Sequence, residues 1–187
     1  MKDIMNKEIN ISKEASLCYI EQLHAKELFE LTDINREYLK QWLPWLDYVK
    51  SESDTLKFIK KAIAQNENSL GPTFVILYKN RIGGVIGYHP FDNLNKIGEI
   101  GYWLSQSLQG KGIITLSCKA LIKLGFEMYR LNRIQIPAAE NNGRSRLVPE
   151  RLGFKYEGMI REREFLYGKY VNHAMYSILK SEYSENS

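Results

Sequence analysis

Cysteine is scarce: Cys18 and Cys118 are the only two, far apart and each inside an apolar segment. They read as two reduced core thiols of a cytoplasmic protein rather than a disulfide framework. No Cys/His spacing suggests a metal site. Long apolar runs are missing too, and none approaches the roughly 20 residues of a membrane span. The amino end, Met1 to Glu8, mixes Lys, Asp and Glu without an apolar stretch, so no signal peptide is expected. A dominant charge of one sign is absent. The net charge is +4, with Lys and Arg spread among acids; an acidic partner is permitted, but direct nucleic-acid binding is not expected. Repeats, low-complexity blocks and linkers are lacking, so the 187 residues are expected to form one domain, 1–187, with a real core.

What is present concentrates between Glu99 and Phe154. Glu99 to Leu104 reads as a strand, Gln109 to Gly112 as a glycine turn, and Gly112 to Tyr129 as a helix with an apolar stripe. Arg133 to Pro137 is the next strand, and Arg144 to Leu152 a short helix in which Pro149 sits near the first turn or kinks it. A glycine turn opening a helix gathers unpaired N–H groups and the positive end of the helix dipole, which suits a phosphate. A Walker loop is excluded, because Lys111 is followed by Gly112 where the pattern needs Ser or Thr. A dinucleotide fingerprint is excluded by Thr115. The pattern that remains, Gln/Arg-x-x-Gly-x-Gly/Ala, wraps the pyrophosphate of coenzyme A. Gln109 and Gly112 match it and Ile114 departs from it.

The flanking text carries a resemblance. Trp42-Leu43-Pro44-Trp45, Ile82 to His89, Glu99 to Leu104, Gln109 to Thr115, Asn142-x-x-Ser145 and Leu152 to Gly158 stand in the order of the RimJ/RimL type of N-acetyltransferases. The sequence resembles that type over nearly its whole length. The resemblance implies the GNAT fold, an α/β (α+β) architecture with a mixed, centrally splayed sheet of about seven strands flanked by helices. It also implies acetyl-CoA as co-substrate and the N-terminal amine of a ribosomal protein as acceptor. A small amine, polyamine or drug as acceptor, or a non-catalytic acyl-CoA sensor, is the alternative. A homo-oligomer is compatible with the sequence; a membrane partner is not expected.

The rest of the chain reads as follows. Ser16 to Leu23 is a first strand. Helical patterns cover Lys26 to Leu31 and Asn35 to Trp42, ended by Leu43-Pro44. Ser53 or Asp54 caps a helix reaching about Asn66. Thr73 to Tyr78 and Ile82 to His89 form a hairpin, with Gly83, Gly84 and Gly87 marking a bulge or close backbone contact. Lys155 to Glu164 and Tyr170 to Leu179 are the last strands, and Lys180 to Ser187 is a polar, frayed tail.

Acetyl transfer from a thioester needs a grip on the donor, a neutral amine, an oxyanion donor and help for the thiolate. The backbone of Gln109, Gly110, Lys111, Gly112, Ile113 and Ile114 is the candidate grip, with the Thr115 hydroxyl beside it. Tyr102, Trp103 and Leu104 offer a strand edge for the pantetheine amides and an N–H for the oxyanion, while the Trp103 side chain packs in the core. Asn142 holds an amide of the arm or simply forms a turn. The resemblance points to Glu164 as base; Glu162 shares its strand face, and His89 is the rival. It points to Ser145 as the proton donor to the thiolate, with an N-cap role as the alternative. No Gly-x-Ser-x-Gly elbow is present, so direct transfer is expected rather than an acyl-enzyme. Trp42, Trp45, His89, Tyr167 and Tyr170 are candidates for the acceptor groove, although Trp42 and Trp45 fit local packing as well.

Overall fold

The structure, a computed structural model, describes residues 8–183. The expectation for Met1 to Glu8 therefore lies almost wholly outside the described residues, as does the end of the polar tail. Eight strands form one sheet: β1 (Glu8–Asn10), β2 (Ala15–Tyr19), β3 (Thr73–Tyr78), β4 (Arg81–Tyr88), β5 (Ile97–Leu104), β6 (Arg133–Ala139), β7 (Lys155–Leu166) and β8 (Lys169–Leu179), in the order β1-β2-β3-β4-β5-β6-β8-β7. The helices are α1 (Ala25–Ile34), α2 (Arg36–Lys40), α3 (Glu52–Glu67), α4 (Ile113–Glu127) and α5 (Gly143–Arg151). The mixed sheet flanked by helices is the expected architecture with one more strand. The extra strand is β1, three residues on the sheet edge, too short for any alternation to be read.

Alternation sorts the central strands onto two cores. Phe74, Ile76, Ile86, Tyr88, Ile100 and Leu104 join α4 and α5 residues such as Leu121, Phe126 and Val148 in one cluster. Val75, Ile82 and Val85 face the other way, with Leu28 of α1 and Ile59 of α3. Ile82 and Val85 differ in parity yet share a face. The pairing steps from Ile76↔Gly84 to Leu77↔Ile82, leaving Gly83 as the extra residue of a bulge. The glycine-rich strand is thus bulged, as its composition suggested.

Three boundaries move. The first strand ends at Tyr19 rather than Leu23, because Glu21 and His24 cap each other reciprocally and start a helical turn at Gln22. Helix α3 begins at Glu52, after Ser51, because the Asp54 carboxylate accepts from both the Lys50 N–H (3.2 Å) and the Ser51 hydroxyl (2.8 Å). The tail does not fray at once: the Tyr183 ring packs 5.1 Å from that of Phe126.

The sheet splays at its centre. Strands β5 and β6 run parallel and pair only over Ile97↔Arg133, Gly98↔Ile134 and Glu99↔Gln135. Beyond Glu99, β5 stays with β4 while β6 stays with β8, out to Ala139↔His173. The second half of β5 therefore has an open side.

Candidate active site

The opening between β5 and β6 continues into a cleft of about 1350 Å³. Which backbone groups face it follows from the β4–β5 ladder. His89 N–H donates to the Glu99 carbonyl (2.9 Å), and Ser105 N–H to the Gly83 carbonyl (2.8 Å). Alternate residues of an antiparallel strand turn their polar groups to the same neighbour. Glu99, Gly101, Trp103 and Ser105 therefore turn toward β4, and the N–H and C=O of Tyr102 and Leu104 point into the opening.

One end of the cleft is the turn before α4. Gly110 and Gly112 have φ of +74° and +73°, and a Cβ on either meets nothing within 4 Å. Glycine is required there by backbone conformation, not by crowding. No side chain caps α4, and Leu116 N–H to the Gly112 carbonyl (3.0 Å) closes its first turn. The N–H groups of Ile113, Ile114 and Thr115 are thus left at the cleft end. Ile114 packs its side chain against the core, which is why a branched residue is tolerated in a loop pattern that asks for Gly or Ala. The Gln109 amide bridges the Tyr38 hydroxyl and the Arg144 guanidinium. Lys111 in the turn and Arg144 beside Gln109 make this end basic, and Arg151, at the last turn of α5, lines the same cleft.

Helix α5 forms the wall behind it. Asn142 is its N-cap and accepts from Ser145 N–H (3.2 Å). The capping role is therefore filled by Asn142, and Ser145 sits one turn in with its hydroxyl free for other work. That hydroxyl lies 3.1 Å from Tyr102 Oη, and both residues line the cleft. Pro149 stands inside the helix rather than in its first turn.

At the other end is β7, whose distortion decides which carboxylate faces inward. Glu164 pairs with Val171 and Ile160 with His173, so Arg161, Glu162 and Arg163 oppose the single residue Asn172. Asn172 fills the wide bulge: its Oδ1 accepts from Glu162 N–H (2.9 Å) and its Nδ2 donates to Glu140 (2.9 Å). Glu162 takes a φ of +50° and is exposed. The bulge breaks the shared face of Glu162 and Glu164, and only Glu164 lines the cleft. Glu157 is the extra residue of a second bulge and is held by Arg133 and Ser177 away from the cleft. His89 also lines the cleft, with Nε2 only 2.9 Å from where a Cβ of Gly101 would stand.

The aromatic candidates divide. Trp42 lines the cleft. Trp45 lies behind it, its ring 6.4 Å from that of Trp103, which packs on the α1/α3 core as expected of its side chain. Tyr167 donates to the Leu43 carbonyl (2.8 Å) and accepts from Leu46 N–H (3.2 Å), tying the β7–β8 turn to the Trp42 to Leu46 loop. Tyr170 is not brought to the cleft; it is 62% exposed and stacks on Phe165.

Sequence reasoning missed Tyr38, Arg144, the Glu99–Arg163 ion pair (2.8 Å) and His173, all of which line the cleft. Arg144 was legible beside Asn142. Tyr38 carries no local signal, and His173 required the register of β7.

The chain is 35% identical over 175 residues to the "Putative ribosomal N-acetyltransferase YdaF" of Bacillus subtilis, covering 92% of this chain and 95% of that protein. It is 34% identical to the "Ribosomal-protein-serine acetyltransferase" of Escherichia coli, covering 92% and 97% of the two chains. Among solved structures, the microcin C7 self-immunity acetyltransferase MccE, in complex with acetyl-CoA and AMP, superposes with a TM-score of 0.89. The two are 30% identical, over 94% of this chain and 98% of that one. Residues 17–155 match the acetyltransferase (GNAT) domain, and the chain belongs to the GNAT acetyltransferase family.

Proposed function

We propose that the protein is an acetyl-CoA-dependent N-acetyltransferase that modifies the N-terminal amine of a ribosomal protein, by direct transfer in a ternary complex. The observation that carries this reading is the open edge of β5, with an uncapped helix start at one end and a carboxylate at the other. A basic end suits a pyrophosphate, and the acidic end suits an ammonium. Acetyl-CoA, where bound, supplies a thioester whose acetyl group is already activated.

The residues take the following roles on this reading. Gln109 to Ile114 hold the pyrophosphate through backbone N–H groups, with Thr115 adding a hydroxyl. Tyr102 and Leu104 offer backbone groups to the pantetheine amides, and an N–H of that edge stabilises the developing oxyanion. Asn142 keeps its amide donor for the same arm while its oxygen caps α5. Glu164 takes a proton from the amine, a modest task because a peptide α-amino group titrates near pH 8. Ser145 gives a proton to the departing sulfur. Trp42 and His89 form the acceptor wall, and Trp45 and Tyr167 brace it from behind. Direct transfer is supported by the thiols: Cys118 is buried, which pushes its pKa up and leaves it inert as a nucleophile. Two cysteines outside any disulfide fit a cytoplasmic setting.

Incubation with labelled acetyl-CoA and a cell extract tests the reading. Label on the N-terminus of a ribosomal protein is the expected result. Label only on small amines or on an aminoacyl nucleotide overturns the acceptor, and acetyl-CoA binding without thiol release overturns catalysis.

A further inference from the structure

His173 has no part in the chemistry above, yet it is placed inside it. It lies on β8 between Ala139 of β6 and Ile160 of β7, and it lines the cleft. Its side chain is 12% exposed, and neither ring nitrogen has a hydrogen-bond partner among the described residues. Leaving buried polar atoms unpaired is costly and rare, so such a group calls for a reason. Nε2 lies 3.5 Å from Oε2 of Glu164, a separation that a small side-chain rotation converts into a hydrogen bond. The β7 bulge creates this proximity. With regular pairing, Glu162 and Glu164 would stand on one face; the bulge turns Glu164 alone to the imidazole.

We propose that His173 is the positioning and proton-relay partner of Glu164. This rests on the acetyl-transfer reading and deepens it. Converting an ammonium into an amide removes two protons from the nitrogen, one ending on the thiol sulfur and one in solvent. A carboxylate that has taken the first cannot take the second until it discharges. Here the ammonium N–H breaks as an O–H forms on Glu164. That O–H then breaks as an N–H forms on Nε2 of His173, leaving a carboxylate beside an imidazolium. The regenerated carboxylate receives the proton shed after the C–N bond forms and passes it through cleft water to Ser145, replacing the one given to sulfur, while the imidazolium returns its proton to solvent. Imidazole is the side chain whose charge changes most readily near neutral pH, which suits it to a relay. The other charged groups around the ring are few: Arg163 on β7, already paired with Glu99 of β5, and Glu140 past the end of β6, already bonded to Asn172. His89 lines the same cleft. Glu164 is thus the one carboxylate in ion-pair range of the imidazole among the described residues.

Two measurements test the pairing. Nuclear magnetic resonance follows the ring resonances of the three histidines in the whole protein, without substrates. Loss of a signal in His173→Asn assigns the ring; if that variant does not fold, His24→Asn and His89→Asn assign it by elimination. Replacing the carboxylate in Glu164→Gln should shift the His173 ring resonances, because Oε2 lies 3.5 Å from Nε2. Ring resonances that do not move overturn the relay. Steady-state kinetics then gives the catalytic side. His173→Asn should lower kcat about tenfold, less than the roughly 10²–10⁴-fold of a direct general base, change the pH profile of kcat and leave the KM for acetyl-CoA unchanged. The double variant should be no slower than Glu164→Gln alone. An active wild type with an unaffected His173→Asn, or with multiplicative losses in the double variant, overturns the relay alone. An inactive wild type whose His173 resonances still respond to Glu164→Gln overturns the acetyl-transfer reading instead.

Discussion

The Tyr102 hydroxyl reaches across the splayed edge of the sheet to Ser145, lying 3.1 Å from its Oγ and donating to its carbonyl at 3.2 Å. That carbonyl is free because Pro149, four residues further along α5, has no N–H to donate back to it. A proline that looks like a flaw in a short helix therefore creates the acceptor that holds a strand residue beside the serine. Burial pushes the Tyr102 pKa up, so its phenol stays protonated.

On the proposed chemistry, Ser145 gives its proton to sulfur and Tyr102 can swing its own proton from the carbonyl to the serine oxygen. Tyr102→Phe removes that replenishment and one partly buried hydrogen bond, worth about 1 kcal/mol. Thiol release in a single turnover should slow about tenfold, less than the roughly 10²–10⁴-fold of a direct general acid, and Ser145→Ala should slow it at least as much. The double variant should match Ser145→Ala, because the tyrosine acts through the serine. Unchanged single-turnover rates in Ser145→Ala reject the serine as acid.

Glu164→Gln tests the base. Turnover should fall by about 10²-fold or more, the range of general-base catalysis. Acetyl-CoA binding, read by calorimetry, should be nearly unchanged, since the proposed donor grip is at the far end of the cleft. Full activity across pH removes Glu164 from the mechanism, and His89→Asn then becomes the variant to examine.

Local patterns revealed the glycine turn at the basic end of the cleft and missed much of the opposite end. Gly110 and Gly112 announce a left-handed turn at the start of an apolar helix, and both signals lie within a few residues of each other. The splay of β5 from β6 is also foreshadowed, since a parallel crossover must carry α4. Glu164 is different. Period-two alternation groups it with Glu162, and the bulge that separates them depends on Asn172, on another strand. The Glu164–His173 contact depends on that same bulge. Tyr167 and Tyr170 likewise look equivalent in sequence, yet only Tyr167 reaches the Trp42 to Leu46 loop, because the β7–β8 turn aims one ring inward and the other outward.

That tether yields a separate prediction. Tyr167→Phe keeps the ring beneath Lys40, whose ammonium sits 4.6 Å from its centroid, but removes the hydroxyl bonds to Leu43 and Leu46. Losing one net hydrogen bond of about 1 kcal/mol loosens the loop that carries Trp42. The KM for a peptide acceptor should rise about fivefold while the KM for acetyl-CoA stays put. A rise in both alike means that the tether supports the whole fold rather than the acceptor wall.

Glu157 gives a prediction about stability in acid. Its carboxylate accepts from both Arg133 nitrogens (2.6 and 2.5 Å) and from the Ser177 hydroxyl (2.6 Å). The guanidinium foremost, and then the hydroxyl, hold its pKa at about 2, against about 4.3 for an ordinary glutamate. The folded state therefore binds the proton less readily than the unfolded chain. The pair contributes its stability above about pH 4.5, and loses it as the pH falls from there toward 2. The Glu157 side chain is 38% exposed, so solvent screening reduces the contribution to about 1 kcal/mol. Glu157→Gln should melt about 2–4 °C below wild type at pH 7, the shift expected for a protein of this size. That gap should narrow steadily below pH 4.5, as the wild-type carboxylate takes up the proton that the amide never needs. A gap that is constant from pH 7 to pH 3 in thermal melts means that packing of the bulge, and not the ion pair, sets the difference.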